Sequence, residues 1–139
     1  MNQLNNVILE GTLTCDPEIV ATSNTTQNKL VKFTVASDRY YKDKDGVMKQ
    51  DTLFIPVQCW GELGERCMEK VEKGMNVRVV GRLMLCKWEN KNGEKRSVIE
   101  IVCNHLEYRN PKNKTKMIII DDEKKESDSV GEAQVIYDF

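Results

Sequence analysis

VRVVGRLMLCKW, residues Val77 to Trp88, reads as one long strand. Val77, Val79, Leu83 and Leu85 share one face, with Gly81 in the same register. Arg78, Val80, Arg82, Met84, Cys86 and Trp88 share the other, an alternation with a period of two. The first face is expected to be core. The second mixes two arginines, apolar side chains and a tryptophan, with Lys87 beside it. The run ENKNGEKR follows, and Asn92-Gly93 within it marks a turn. Ser97 to Glu107 then returns as a second strand. A long hairpin tipped with lysines and carrying Arg and Trp outward suits a groove for single-stranded nucleic acid. The same residues equally fit an ordinary exposed hairpin.

Upstream, ELGERCMEKVEK at Glu62 to Lys73 is the only convincing helix, with Leu63, Cys67 and Val71 in one apolar stripe. Gly74 is expected to end it in the left-handed conformation, and Gly64 to weaken it by roughly 1 kcal/mol. Thr52 to Trp60 is a strand, with Pro56 implying an edge or a bulge. Asp38 to Asp51 forms a charged hairpin loop turning at Asp45-Gly46, with Tyr40 and Tyr41 at its base. Leu30 to Ser37 and Asn6 to Thr14 are two more strands. Gly11 in the latter marks a bulge or a close crossing. Asp16-Pro17 ends that strand, and Ala21 to Asn28 is a polar loop.

Five strands with a helix between the third and fourth is the order of an OB-fold. The expected class is therefore mainly all-β, a five-stranded Greek-key barrel that presents one face and its loops to oligonucleotides or oligosaccharides. The last strand is apolar on both sides, with Ile99, Ile101 and Cys103 opposed to Val98, Val102 and Leu106, which implies an oligomer contact.

The 139 residues hold one domain, expected over 1–109, and a disordered linker and acidic tail over 110–139. Residues 1–116 carry a net charge of +4 and residues 117–139 one of −5. That asymmetry fits a polyanion ligand and a separate basic partner, or simply two solvated regions of unrelated charge. Met117 to Ile120, MIII, is either an edge strand or a small docking motif. The five cysteines form no Cys-x-x-Cys pair, so neither zinc nor another metal is expected, and reduced buried thiols are the default. No signal peptide or bilayer-spanning run is apparent, so the expected compartment is the cytoplasm, with nucleoid association. His105, the single histidine, reads as a structural or interface residue. No nucleophile–base pair stands out, so no catalytic residue, no cofactor and no enzymatic activity are expected.

At this point the chain resembles the bacterial single-stranded DNA-binding protein (SSB) family from about Asn5 to Tyr108. NNVILEGTLTCDPE at 5–18, KFTVASDRYYKDKDGVMKQD at 32–51, WGELGE at 60–65 and VGRLMLCKWENKNGEKR at 80–96 carry the likeness. The resemblance implies sequence-independent binding of single-stranded DNA, with Tyr40, Phe54, Trp60 and Trp88 stacking on bases. Tyr40 and Phe54 stand where the family usually has tryptophan. Lys87, Arg82, Arg78, Lys49 and Arg96 are the cations expected to meet the phosphates. It also implies a homotetramer paired through the first strand, and roles in replication, recombination and repair. Tyr137, Asp138 and Phe139 are the expected docking tip for replication and repair proteins. The ending VIYDF keeps the terminal Phe and one Asp but lacks the family's Pro and Asp run. Two rivals stand beside this reading. One is an OB-fold interaction module of the primosome or recombination accessory kind; the other is a nuclease acting on single strands.

Overall fold

A computed structural model describes residues 2–109 and the strand at 118–121. The elements run β1 (Val7–Leu13), β2 (Glu18–Thr22), β3 (Lys29–Lys42), β4 (Met48–Trp60), α1 (Gly61–Lys70), β5 (Asn76–Glu89), β6 (Lys95–Arg109) and β7 (Ile118–Asp121). The sheet order is β1-β5-β6-β4-β3, and β1 pairs β3 as well, which closes five strands into a barrel. Those five strands and the one helix among the described residues are the expected OB-fold, with the helix after the third barrel strand.

Closure depends on β1 changing partners. Val7 to Thr12 pair with β5, and Thr12 and Leu13 pair with Ala36 and Val35 of β3. At the crossing, a Cβ on Gly11 would lie 2.3 Å from the Ala36 carbonyl oxygen. The expected close crossing is therefore real, and only glycine fits there. One short seam is parallel: the β4 backbone pairs with β6 only at Val57–Ile101 and Gln58–Val102. Pro56 stands just before that seam, where β4 has β3 as its neighbour.

The core follows from the pleat. Val31, Phe33 and Val35 point inward from β3, Val57 and Cys59 from β4, Val77 and Val79 from β5, and Ile101 and Cys103 from β6. Helix α1 closes the end of the barrel with Leu63 and Cys67. Gly64, a poor helix former, is explained by contact: a Cβ there would sit 2.7 Å from the Cys59 carbonyl oxygen. The Cys67 and Cys59 sulfurs lie 3.7 Å apart in this core. Hydrogen bonding to Cys103 and Cys67, together with burial, pushes the Cys59 thiol well up, so it stays protonated. All five cysteines are free, and Cys15 is exposed rather than buried.

Several expectations change. Glu18 to Thr22 form a strand, whose last two residues fall in the stretch read as polar loop, because the β3 backbone gives it a ladder although all its side chains are exposed. The loop expected over Asp38 to Asp51 is mostly strand. Every residue from Tyr41 back to Leu30 has a partner on β4, and only 43–47 turn. The helix stops at Lys70, with Val71 extended after it. Gly74 does have positive φ, but it serves a later turn in which its N–H bonds Leu13. On β6 a register shift beside Gly81 reverses the alternation, so Leu106 joins Ile101 and Cys103 inside rather than facing away from them. Leu83 and Leu85 keep the inward face of β5 but are exposed. β7 pairs with β6 from His105 to Tyr108, so Ile118 to Ile120 of the expected run, with Asp121, contribute an edge strand, and Met117 lies outside the described residues.

Candidate nucleic-acid interface

Two long hairpins, β3–β4 and β5–β6, rise beyond the barrel, and their loops are built alike. In the first, Asp43 Oδ1 accepts the N–H groups of Asp45 and Val47. In the second, Asn90 Oδ1 accepts those of Asn92 and Glu94. Gly46 and Gly93 each sit three residues on, with φ of 78° and 80°. A side chain that substitutes for backbone acceptors, followed by a glycine in the left-handed region, makes a tight and specific turn. The second loop is thus five residues closed by Asn90, not a two-residue Asn-Gly turn.

Alternation along these hairpins sorts the side chains. Tyr40, Phe54, Trp60 and Trp88 all fall on the outer face of the sheet formed by β3, β4, β6 and β5. Each ring is open to solvent, from 41% exposed at Trp60 to 63% at Tyr40 and Phe54. Exposed large aromatics on one sheet face are a stacking platform for bases. Arg82 lies on that face too, opposite Val102. Arg96 is directly across from Trp88. An open cleft of about 500 Å³ at this tip is lined by Lys87, Trp88, Glu89, Lys95, Arg96 and Ser97.

The remaining expected cations are placed differently. Arg78 is ten strand residues from Trp88, about 33 Å at 3.3 Å per residue. It is engaged by Glu10 at 2.6 Å and Glu107 at 2.9 Å. Lys49 pairs across from Tyr41, on the opposite side of its hairpin from Tyr40, and lies 3.8 Å from Asp43. On that side Arg39 stacks over the Tyr41 ring at 4.5 Å and pairs with Asp51. Lys87 alternates away from Trp88 along β5 yet meets it at the rim of the cleft. Tyr137, Asp138 and Phe139 lie outside the described residues.

Beneath the rings is a polar cluster that sequence reasoning missed. Gln58 is 3% exposed and Glu100 is 4% exposed. Trp60 Nε1 donates to Gln58 Oε1 at 3.1 Å, and Gln58 Nε2 donates to Glu100 Oε1 at 2.8 Å. Lys32 Nζ donates to the same carboxylate at 3.1 Å. Gln58 Nε2 also reaches the Cys86 sulfur at 3.3 Å. Burial pushes the Glu100 carboxyl up, but hydrogen bonds from Gln58 and Lys32, with the Lys32 charge, overcome this and hold it below the usual carboxylate range. Burial and the neighbouring Glu100 raise Cys86. The signal was present in β6, where a lone Glu stands between Ile99 and Ile101, but its partners sit on other strands.

His105 bonds Glu107 at 3.0 Å, as a structural histidine does. Among the described residues no group of three or more His, Cys, Asp or Glu could hold a metal ion. No helix among them is long and apolar enough to cross a membrane.

The profile of the single-strand binding protein family matches residues 4–109. Single-stranded DNA-binding protein 2 of Chlorobaculum tepidum is 30% identical over 114 residues, covering 82% of this chain and 76% of that protein. The single-stranded DNA-binding protein of Caldanaerobacter subterraneus subsp. tengcongensis is 34% identical over 110 residues, covering 79% and 71%. A solved structure described as Plasmodium falciparum SSB complex with ssDNA aligns with a TM-score of 0.70 at 22% identity, covering 79% of this chain and 98% of that one. At that identity the likeness speaks to the fold.

Proposed function

Because the chain belongs to the single-strand binding protein family, we propose that it binds single-stranded DNA without sequence preference, as a binding protein and not an enzyme. The observation that carries this is the outer sheet face, where Tyr40, Phe54, Trp60 and Trp88 all stand exposed. Every base has a π-face, so stacking tolerates any sequence. Arg82, Arg96 and Lys87 lie beside these rings and meet the phosphates; Lys49 and Arg78 contribute from the flanks. Phosphate contacts release counterions, so binding weakens with salt, with a log–log slope of about −0.7 per phosphate neutralised on single strands.

Titrating oligo-dT into the protein at several salt concentrations tests the proposal. Tryptophan emission should be quenched, affinity should fall linearly in log salt, and oligo-dA and oligo-dC should compete. Unquenched emission at saturating oligonucleotide would exclude stacking by Trp60 and Trp88. Survival of labelled substrate at full length in magnesium separates binding from nuclease action.

The finer roles belong to the same proposal. The chain protects DNA during replication, recombination and repair, in the cytoplasm and at the nucleoid. It assembles as a homotetramer through the first strand, a reading supported by Leu4 and Ile8, large apolar side chains exposed at that edge. Sedimentation showing only a 16.0 kDa monomer at micromolar concentration would count against it. Apart from β7, residues 110–139 act as linker and acidic tail, and Tyr137, Asp138 and Phe139 dock replication and repair proteins. Deleting Gln134 to Phe139 should abolish that docking and leave oligo-dT affinity unchanged or slightly higher.

A further inference from the structure

We infer that Lys32, Glu100 and Gln58 form a positioning chain that holds the Trp60 ring at a fixed angle for stacking. The inference rests on the single-stranded DNA reading and assigns a task to three residues that make no aromatic contact with a base. Trp60 is the last residue of β4 and half-exposed, so packing covers only part of its ring. Its one polar atom is tethered: Nε1 donates to Gln58 Oε1 at 3.1 Å.

That tether has one polarity. Gln58 must present its oxygen to the indole, because the indole N–H can only donate. The amide nitrogen then faces Glu100, which as a carboxylate can only accept, at 2.8 Å. Turning the amide over would set two donors face to face at Trp60 and two acceptors face to face at Glu100. Glu100 is in turn fixed by Lys32 at 3.1 Å from the neighbouring side. Lys32 is directly across from Gln58 in the β3–β4 register, so three strands share the work. The chain runs from ammonium to carboxylate to amide to indole, and each link dictates the orientation of the next. With Gln58 and Glu100 almost fully buried, solvent cannot replace the links at low cost. An ordered ring gives up little freedom when a base stacks on it, which is the gain of preorganisation.

A double-mutant cycle on the full chain, with oligo-dT as the ligand, tests this. Gln58→Leu should weaken binding roughly two- to tenfold, the worth of one hydrogen bond. In a Trp60→Phe background, which keeps a ring but has no N–H to tether, Gln58→Leu should have no effect. Equal weakening in both backgrounds, or none in either, overturns the inference. Should Gln58→Leu fail to fold, the unmodified protein still gives an answer by NMR. The Trp60 indole proton should exchange with water far more slowly than that of Trp88. Equal exchange rates would also overturn it. A wild-type protein that binds no oligo-dT would instead refute the function proposed above, so the two failures are distinct.

Discussion

In the lower half of the β5–β6 ribbon, Val77, Val79, Ile101 and Leu106 are sealed inside the barrel; in the upper half, Leu85 and Ile99, one opposite the other, carry the same face out into solvent. The two strands pair without a break from one half to the other, apart from the shift beside Gly81. What differs is the company. β1 follows β5 only as far as Gly81, and the β4 backbone pairs with β6 only at Ile101 and Val102. Past those points no strand among the described residues forms a second layer over the ribbon's inner face. The pleat decides which way a side chain points, and the neighbouring strands decide whether that direction is inside.

The sharpest test of this contrast is Ile101→Ala, which should cost about 2–5 kcal/mol of unfolding free energy by leaving a cavity. Urea denaturation measures it, and a loss under about 1 kcal/mol would mean the lower half is not sealed. Next in size, Trp88→Ala in the upper half should weaken oligo-dT binding by about 1–3 kcal/mol. The denaturation midpoint should stay put. A shift in that midpoint comparable to an Ile101 cavity would mean the hairpin is structural, and the division would collapse.

Glu100 sits at the boundary between the halves and gives the contrast a pH dependence. Its folded pKa lies below the unfolded carboxylate value of about 4.3. The carboxylate therefore stabilises the fold above that value, and the contribution is lost as pH falls through the lower, folded pKa. Urea midpoints measured from neutral pH down into acid should drop more steeply for the wild type than for Glu100→Gln. Parallel curves would show that Glu100 gains nothing from its partners. The smallest expected effect is Leu85→Ser, within about 0.5 kcal/mol in stability because its side chain is already wet. A larger loss would reveal a cover over the upper half, such as a second copy of the chain.

The same contrast explains what could be read in the sequence. Period-two alternation found the inward face of β5, and the Leu63–Cys67–Val71 stripe found the helix; Gly11 announced the crossing that closes the barrel. These are local signals, fixed by neighbours along the chain. Alternation could not say that Leu85 lies beyond the last covering strand, nor that the shift beside Gly81 turns Leu106 inward. β2 has no buried side chain and so no pattern to detect. In the site, the four rings were legible through the family resemblance rather than through spacing. Which cations accompany them was only partly so: Arg82 and Arg96 share the face of the rings, whereas Arg78 is held by Glu10 and Glu107. The Gln58–Glu100–Lys32 cluster joins three strands, and nothing in the spacing of those residues announces it.

The double pairing of β1 also has a consequence in time. Its partners on β5 lie far along the chain, so the contact demands closure of a long loop before any reward. The two hairpins, by contrast, close over five-residue loops and need only their own strands. Folding should therefore begin in the ribbons, with β1 joining after the rate-limiting step. Truncating Leu9, which packs against the core from β1, should then speed unfolding while leaving the refolding rate nearly unchanged. The strand that comes first in this barrel's sequence would be the last to find its place.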